Sequence, residues 1–130
     1  MAAVGGNIVR FTYTGEEDIP DNVTHVTVIN VRVVRTRAFY EHQNIVEVIC
    51  HEEVEKIEEY AFTWCPCLKR LIMRGVKVAE RSAFLDCSAL TDVECDKLEI
   101  IGGSAFEECH SLRSTNLPSA RICTGKNLMD

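Results

Sequence analysis

The dipeptide Ala-Phe recurs at Ala38-Phe39, Ala61-Phe62, Ala83-Phe84 and Ala105-Phe106, at intervals of 23, 22 and 22 residues. A constant period of this length marks stacked supersecondary units, each burying its apolar face against its neighbours. The other apolar residues keep the same register. Eight positions before each Phe stand Val31, Val54, Val76 and Leu98, and five before it Val34, Ile57, Ala79 and Ile101. Six after each Phe come Ile45, Leu68, Leu90 and Leu112; nine after, Val48, Leu71, Val93 and Thr115; eleven after, Cys50, Met73, Cys95 and Leu117. Thr115 is the one polar residue among them.

The pattern predicts a β-rich solenoid of about four full repeats with partial ends. Segments 46–49, 69–72, 91–94 and 113–116 should form one parallel sheet, and 32–34, 55–57, 77–79 and 99–101 a shorter second one. A short helical turn carrying Ala-Phe should join them. Val23, Val26 and Val28 match the end of a preceding half-repeat, and Ile8, Phe11 and Tyr13 suit an irregular strand within a capping segment, residues 1–22. The solenoid would then occupy 23–130. Its degenerate last unit, 118–130, begins with Ala120 and Cys123 and carries Asn127-Leu128 in place of the dipeptide.

The string VEKIEEYAFTWCPCLKRLIMRGVKVAERSAFLDCSALTDVEC resembles the BspA-type leucine-rich repeat, whose pattern is I-x-x-x-A-F-x-x-C-x-x-L-x-x-V. The resemblance covers residues 23 to 123 and implies a curved leucine-rich-repeat solenoid of the α/β-type repeat class. For many relatives it also implies surface adhesion or protein recognition.

Apolar residues make up 46% of the chain and charged residues 26%, a balance that supports a packed domain rather than disorder. The net charge of -6 argues against the clustered Lys and Arg of a nucleic-acid surface and disfavours anionic membranes. No segment has the length of a transmembrane span, so membrane insertion is not expected. The first residues lack the basic start and apolar run of a signal peptide. With seven cysteines, that reading predicts free thiols and a cytoplasmic or otherwise intracellular location.

Three residues after each Phe lie His42, Cys65, Cys87 and Cys109, a zinc-like set in isolation. Zinc needs four ligands converging at about 2.0 to 2.3 Å, whereas a repeat presents one ligand per rung, about 4.8 Å apart. A buried thiol ladder is the expectation, and no metal. The same rung spacing would permit a Cys87–Cys109 disulfide in an oxidising compartment. Cys65-Pro66-Cys67 is too short for C-x-x-C redox chemistry. His25, His51 and His110 are expected in exposed loops, with no nucleophile-base order linking them. Glu52-Glu53, Glu58-Glu59 and Glu107-Glu108 fall on turns, and Gly102-Gly103 lacks the Lys of a phosphate loop. The reading is therefore no enzyme and no cofactor.

Seven residues before each Phe the charge alternates through Arg32, Glu55, Lys77 and Glu99, continuing to Arg121, so neighbouring coils should set opposite charges side by side. Ten after Phe runs the outward series Ile49, Ile72, Glu94 and Asn116, which Thr27 begins by the half-repeat register, and eight after run Glu47, Arg70, Asp92 and Ser114, which His25 begins in the same way. Ile49 and Ile72 with Glu47, Arg70, Asp92 and Glu94 form the first candidate binding patch, apolar at its centre and charged at its rim. Trp64, the single tryptophan, stands where other repeats carry Glu41, Asp86 and Glu108, which predicts exposure. With Tyr40 it makes a second patch. These features predict a non-enzymatic protein–protein interaction module that presents its sheet face to another protein. The alternative is a structural or self-assembling element pairing through an exposed terminal edge, which would give a homo-oligomer.

Overall fold

The computed structural model describes residues 7–113 and the strand Ile122–Cys123. The described strands are β1 (Arg10–Tyr13), β2 (His25–Val28), β3 (Val33–Val34), β4 (Glu47–Cys50), β5 (Lys56–Ile57), β6 (Arg70–Ile72), β7 (Val78–Ala79), β8 (Asp92–Glu94), β9 (Ile100–Ile101) and β10 (Ile122–Cys123). They build two five-stranded sheets, β1-β2-β4-β6-β8 and β10-β9-β7-β5-β3, in which every described pairing is parallel. Each central coil therefore gives one strand to each sheet. The expected strand at 113–116 and the degenerate unit's Asn127 and Leu128 lie outside the described residues, apart from Arg113.

Pleating sorts the side chains. In β4, Val48 and Cys50 are buried while Glu47 and Ile49 are half-covered, and Val48 is registered between Val26 and Leu71. Between the sheets the four Phe rings stack at centroid distances of 4.8, 5.4 and 5.0 Å, close to the strand spacing that stacking imposes. All four are buried, and Tyr13 closes the stack edge-on against Phe39 at 5.1 Å. The irregular strand expected around Tyr13 is in fact regular: all four residues of β1 pair in register with β2.

The Ala-Phe turns are not helical, and no helix occurs among the described residues. The reason lies in the backbone. Two residues before and two after each Phe the chain is left-handed, at Arg37 and Glu41, Tyr60 and Trp64, Ser82 and Asp86, Ser104 and Glu108, with φ between 55° and 62°. A right-handed helix cannot pass through such residues. Alternate amides are then divided between two directions. Ala38, Tyr40 and His42 donate locally to Arg35, Arg37 and Phe39, whereas Arg37, Phe39 and Glu41 donate across to Glu59, Ala61 and Thr63 of the next coil. The following coils repeat the scheme. These bonds hold non-glycine residues in a conformation costing about 1 to 2 kcal/mol each.

Coils also touch backbone to backbone where a side chain would not fit. A Cβ on Gly75 would sit 2.1 Å from the Glu52 carbonyl oxygen, and one on Gly102 2.5 Å from the Arg81 nitrogen. Gly102 thus serves close approach between turns.

Candidate functional site

The first sheet's outer face carries the series that the register placed there. His25, Glu47, Arg70 and Asp92 follow one another across β2, β4, β6 and β8, beside Thr27, Ile49, Ile72 and Glu94. The charges meet from coil to coil: Arg70 Nη1 donates to Glu47 Oε2 at 3.2 Å, and Arg74 Nε to Glu94 Oε1 at 2.8 Å. His25 is not in a loop. It lies half-buried in β2, its Nδ1 2.9 Å from Thr24 Oγ1 and its Nε2 3.8 Å from Glu47 Oε1.

The apolar centre expected on this face is largely hidden. Ile72 is only 5% exposed and Ile49 is half-buried. Each is flanked by the next rung, Ile49 by Thr27 and Ile72, Ile72 by Ile49 and Glu94. Both line a hollow of about 290 Å³ framed by Arg74, Glu52 and Glu53. Ile72 is therefore a packing residue rather than an open contact.

The aromatic patch lies on the Ala-Phe edge and is open. Tyr40 is 38% and Trp64 49% exposed, and their rings stack with centroids 6.5 Å apart. The indole N–H of Trp64 donates to the Asp86 carboxylate of the next coil. The Arg37 guanidinium lies over two rings, 5.4 Å from the centroid of Tyr40 and 5.3 Å from that of Tyr60. Beside them Gln43, Trp64, Pro66 and Asp86 line a hollow of about 460 Å³. Left-handed geometry at Arg37, Tyr60, Trp64 and Asp86 sets these side chains at the corner of the coil.

The model of the BspA type leucine rich repeat region matches residues 19–127 in six copies. The chain belongs to the BspA-type leucine-rich repeat family. No curated protein and no solved structure matches it. Leucine-rich repeats generally mediate protein interactions and are generally non-enzymatic.

The thiol positions of the BspA-type repeat form a ladder of hydrogen bonds. Cys65, Cys87 and Cys109 each donate through Sγ, at 3.1 Å, to the carbonyl of Phe39, Phe62 and Phe84 respectively. His42 fills the same place in the first coil. Its Nδ1 accepts the Asn44 amide at 3.3 Å, so Nε2 carries the proton donated to the Pro20 carbonyl at 2.9 Å. Burial pushes the Cys50 and Cys109 thiols up to about 12 and Cys95 up to about 11. The hydrogen-bonded Cys65 thiol, then burial, pushes Cys87 well up as well. Thiols held protonated in this way are poor nucleophiles and poor metal ligands. No disulfide joins the six described cysteines.

The alternating residues Arg32, Glu55, Lys77 and Glu99 are brought together through their backbones, Glu55, Lys77 and Glu99 each donating an amide to the one before. Ion pairs between neighbouring coils form at other positions, such as Lys56 with Glu80 at 3.0 Å and Arg81 with Glu59 at 3.7 Å. In the first coil Thr14 donates from its amide and hydroxyl to Glu17, holding that carboxyl down at about 2. Glu17 lines a hollow of about 490 Å³ with Arg35, Thr36 and Glu58, where Thr36 in turn donates to Glu58. These polar groups are already used internally.

Sequence reasoning missed Arg37, Tyr60 and Asp86 as members of the aromatic patch, and it missed Ile100. Ile100 is 36% exposed on the outer face of the second sheet beside half-buried Val78. The signal was available six residues before each Phe, where Val33, Lys56, Val78 and Ile100 fall in register.

Proposed function

We propose that this chain is a non-enzymatic module that binds another protein through its Ala-Phe edge, anchored by Tyr40 and Trp64. The exposed stacking of these two rings carries the reading. Interface anchors are enriched in Trp, Tyr and Arg, and the edge sets all three types together in Trp64, Tyr40 and Arg37. Both rings are ordered by contacts within the chain, which lowers the entropy lost on binding. The sheet face contributes Glu47, Arg70, Asp92 and Glu94 as a charged flank, with Ile49 offering its half-covered edge.

Capture from a lysate by the native chain and by a Tyr40→Ser, Trp64→Ser double variant tests the proposal. The variant's far-UV circular dichroism and unfolding midpoint establish that it folds. Proteins retained by the native chain should be lost from the variant. Recovery of the same proteins at the same yield by both chains would overturn the role of the edge.

A further inference from the structure

We infer that the Ala-Phe edge takes a cationic segment of its protein partner, an Arg or Lys side chain lying against Trp64 and paired with the Asp86 carboxylate. This rests on the protein-binding reading and names the chemistry of the partner. The first support is the form of the hollow. One wall is the Trp64 ring, whose faces carry the negative lobes of its quadrupole, and another is Asp86. One oxygen of Asp86 takes the indole N–H, and a carboxylate has a second oxygen with which to accept from a guanidinium or ammonium.

The second support is a working example within the same edge. Arg37 already lies over the rings of Tyr40 and Tyr60, at 5.4 and 5.3 Å. Rings at this corner therefore accept a guanidinium at cation–π distance. Tyr40 is engaged by Arg37 and by Trp64, and the hollow beside Trp64 is the place where an incoming cation meets a ring and a carboxylate together.

The third support is charge. Through the six residues that follow each of the four Phe there is no Lys or Arg, while Glu41, Asp86, Glu107 and Glu108 all fall there. Apart from Arg37, which is held over the Tyr40 and Tyr60 rings, the charged side chains named on this edge are negative and attract a cation, and the chain's net charge of -6 adds to that field. A neutral sugar would also stack on Trp64 and bond to Gln43 and Asp86, but it would draw nothing from the missing cations. The charge distribution favours the basic peptide.

Trp64 is the only tryptophan, so its emission reports on this hollow. The full chain is titrated with an end-capped peptide of alternating Gly and Arg, a Gly-Glu peptide of equal length, and maltohexaose. The Arg peptide should change the emission saturably, and added salt should weaken it. Asp86→Asn removes the charge, keeps an acceptor for the indole, and suits the left-handed backbone at φ 62°. It should weaken the Arg peptide by roughly three- to tenfold. Should that variant alter the fold, Glu41→Gln and Glu108→Gln, read by calorimetry, test the same field through smaller losses. No saturable change with the Arg peptide, an equal response to the Gly-Glu peptide or the sugar, or unchanged affinity in the charge variants would overturn the inference. If these titrations fail while lysate capture still depends on Tyr40 and Trp64, the cationic partner falls and protein binding stands. If capture fails too, both fall.

Discussion

The outer face of the first sheet and the Ala-Phe edge are made by the same repeat, yet they treat apolar side chains in opposite ways. On the sheet's inner strands, residues such as Glu47, Ile49 and Ile72 have registered neighbours on the coil before and the coil after, so Ile72 ends 5% exposed and Glu47 meets Arg70 across the rungs. At the edge the chain turns through left-handed residues and the side chains splay at a corner. Tyr40 and Trp64 touch one another and remain 38% and 49% exposed. Between Ile72 and Trp64 the difference in exposure follows the local backbone and not the hydrophobicity of the residue. A ladder residue such as Ile72 supports the fold, and a corner residue such as Trp64 is available to a partner.

Behind both regions lie the buried thiols, Cys50 and Cys95 under the sheet and Cys87 and Cys109 under the edge. Raised folded pKa values mean that the unfolded chain loses these protons first. Stability should therefore be complete below the ordinary thiol pKa of about 9 and fall as pH rises from there toward 11 and 12. Each unit of separation is worth on the order of 1.4 kcal/mol, and several thiols act together, so this is the largest effect. Urea midpoints measured from pH 8 to 11 would show it. Cys95→Ala and Cys109→Ala would show how the loss divides between sheet and edge, and a midpoint indifferent to alkali would contradict the buried, protonated ladder.

Next in size is the stack that the edge covers. Phe84→Ala should cost about 3 to 5 kcal/mol, read by far-UV circular dichroism in urea, and an unchanged midpoint would remove Phe84 from the core. On the sheet, Ile72→Ala should cost about 2 to 4 kcal/mol and Ile49→Ala clearly less. Equal losses would erase the difference in cover between the two. The smallest effect is expected at the corner itself, where Tyr40→Ser with Trp64→Ser should shift stability by no more than about 1 kcal/mol. A larger fall would make the aromatic pair a structural clamp and break the comparison.

The coil period and both sheets could be read from sequence because Phe39, Phe62, Phe84 and Phe106 and the aliphatic residues in register with them must face inward in every coil. The pairing of β1 was harder to see. Arg10 pairs with His25, 15 residues away instead of 22 or 23, so the repeat gave no guide to it. The turn was misread as helical because Arg37, Glu41, Tyr60 and Trp64 carry no Gly or Asn signal for positive φ. Inter-coil bonds such as Phe39 N to Ala61 O hold that geometry, and these depend on the stacked neighbour. The aromatic patch was half legible. The odd Trp64 in an acidic series pointed to it, but the seat of Arg37 between Tyr40 and Tyr60 follows from the turn.

The thiol-to-carbonyl ladder also gives this protein a set of internal clocks. Cys65, Cys87 and Cys109 each sit in a different coil, sealed from solvent and tied to the coil before. A labelling reagent can reach one of them only during an opening of its own turn, so the rate of alkylation at each sulfur measures how often that coil breathes. Peptide mass mapping after timed quenching would give one opening free energy per coil. In a molecule that is nearly one-dimensional, such a series would show whether the array melts inward from an end or lets go as a single body.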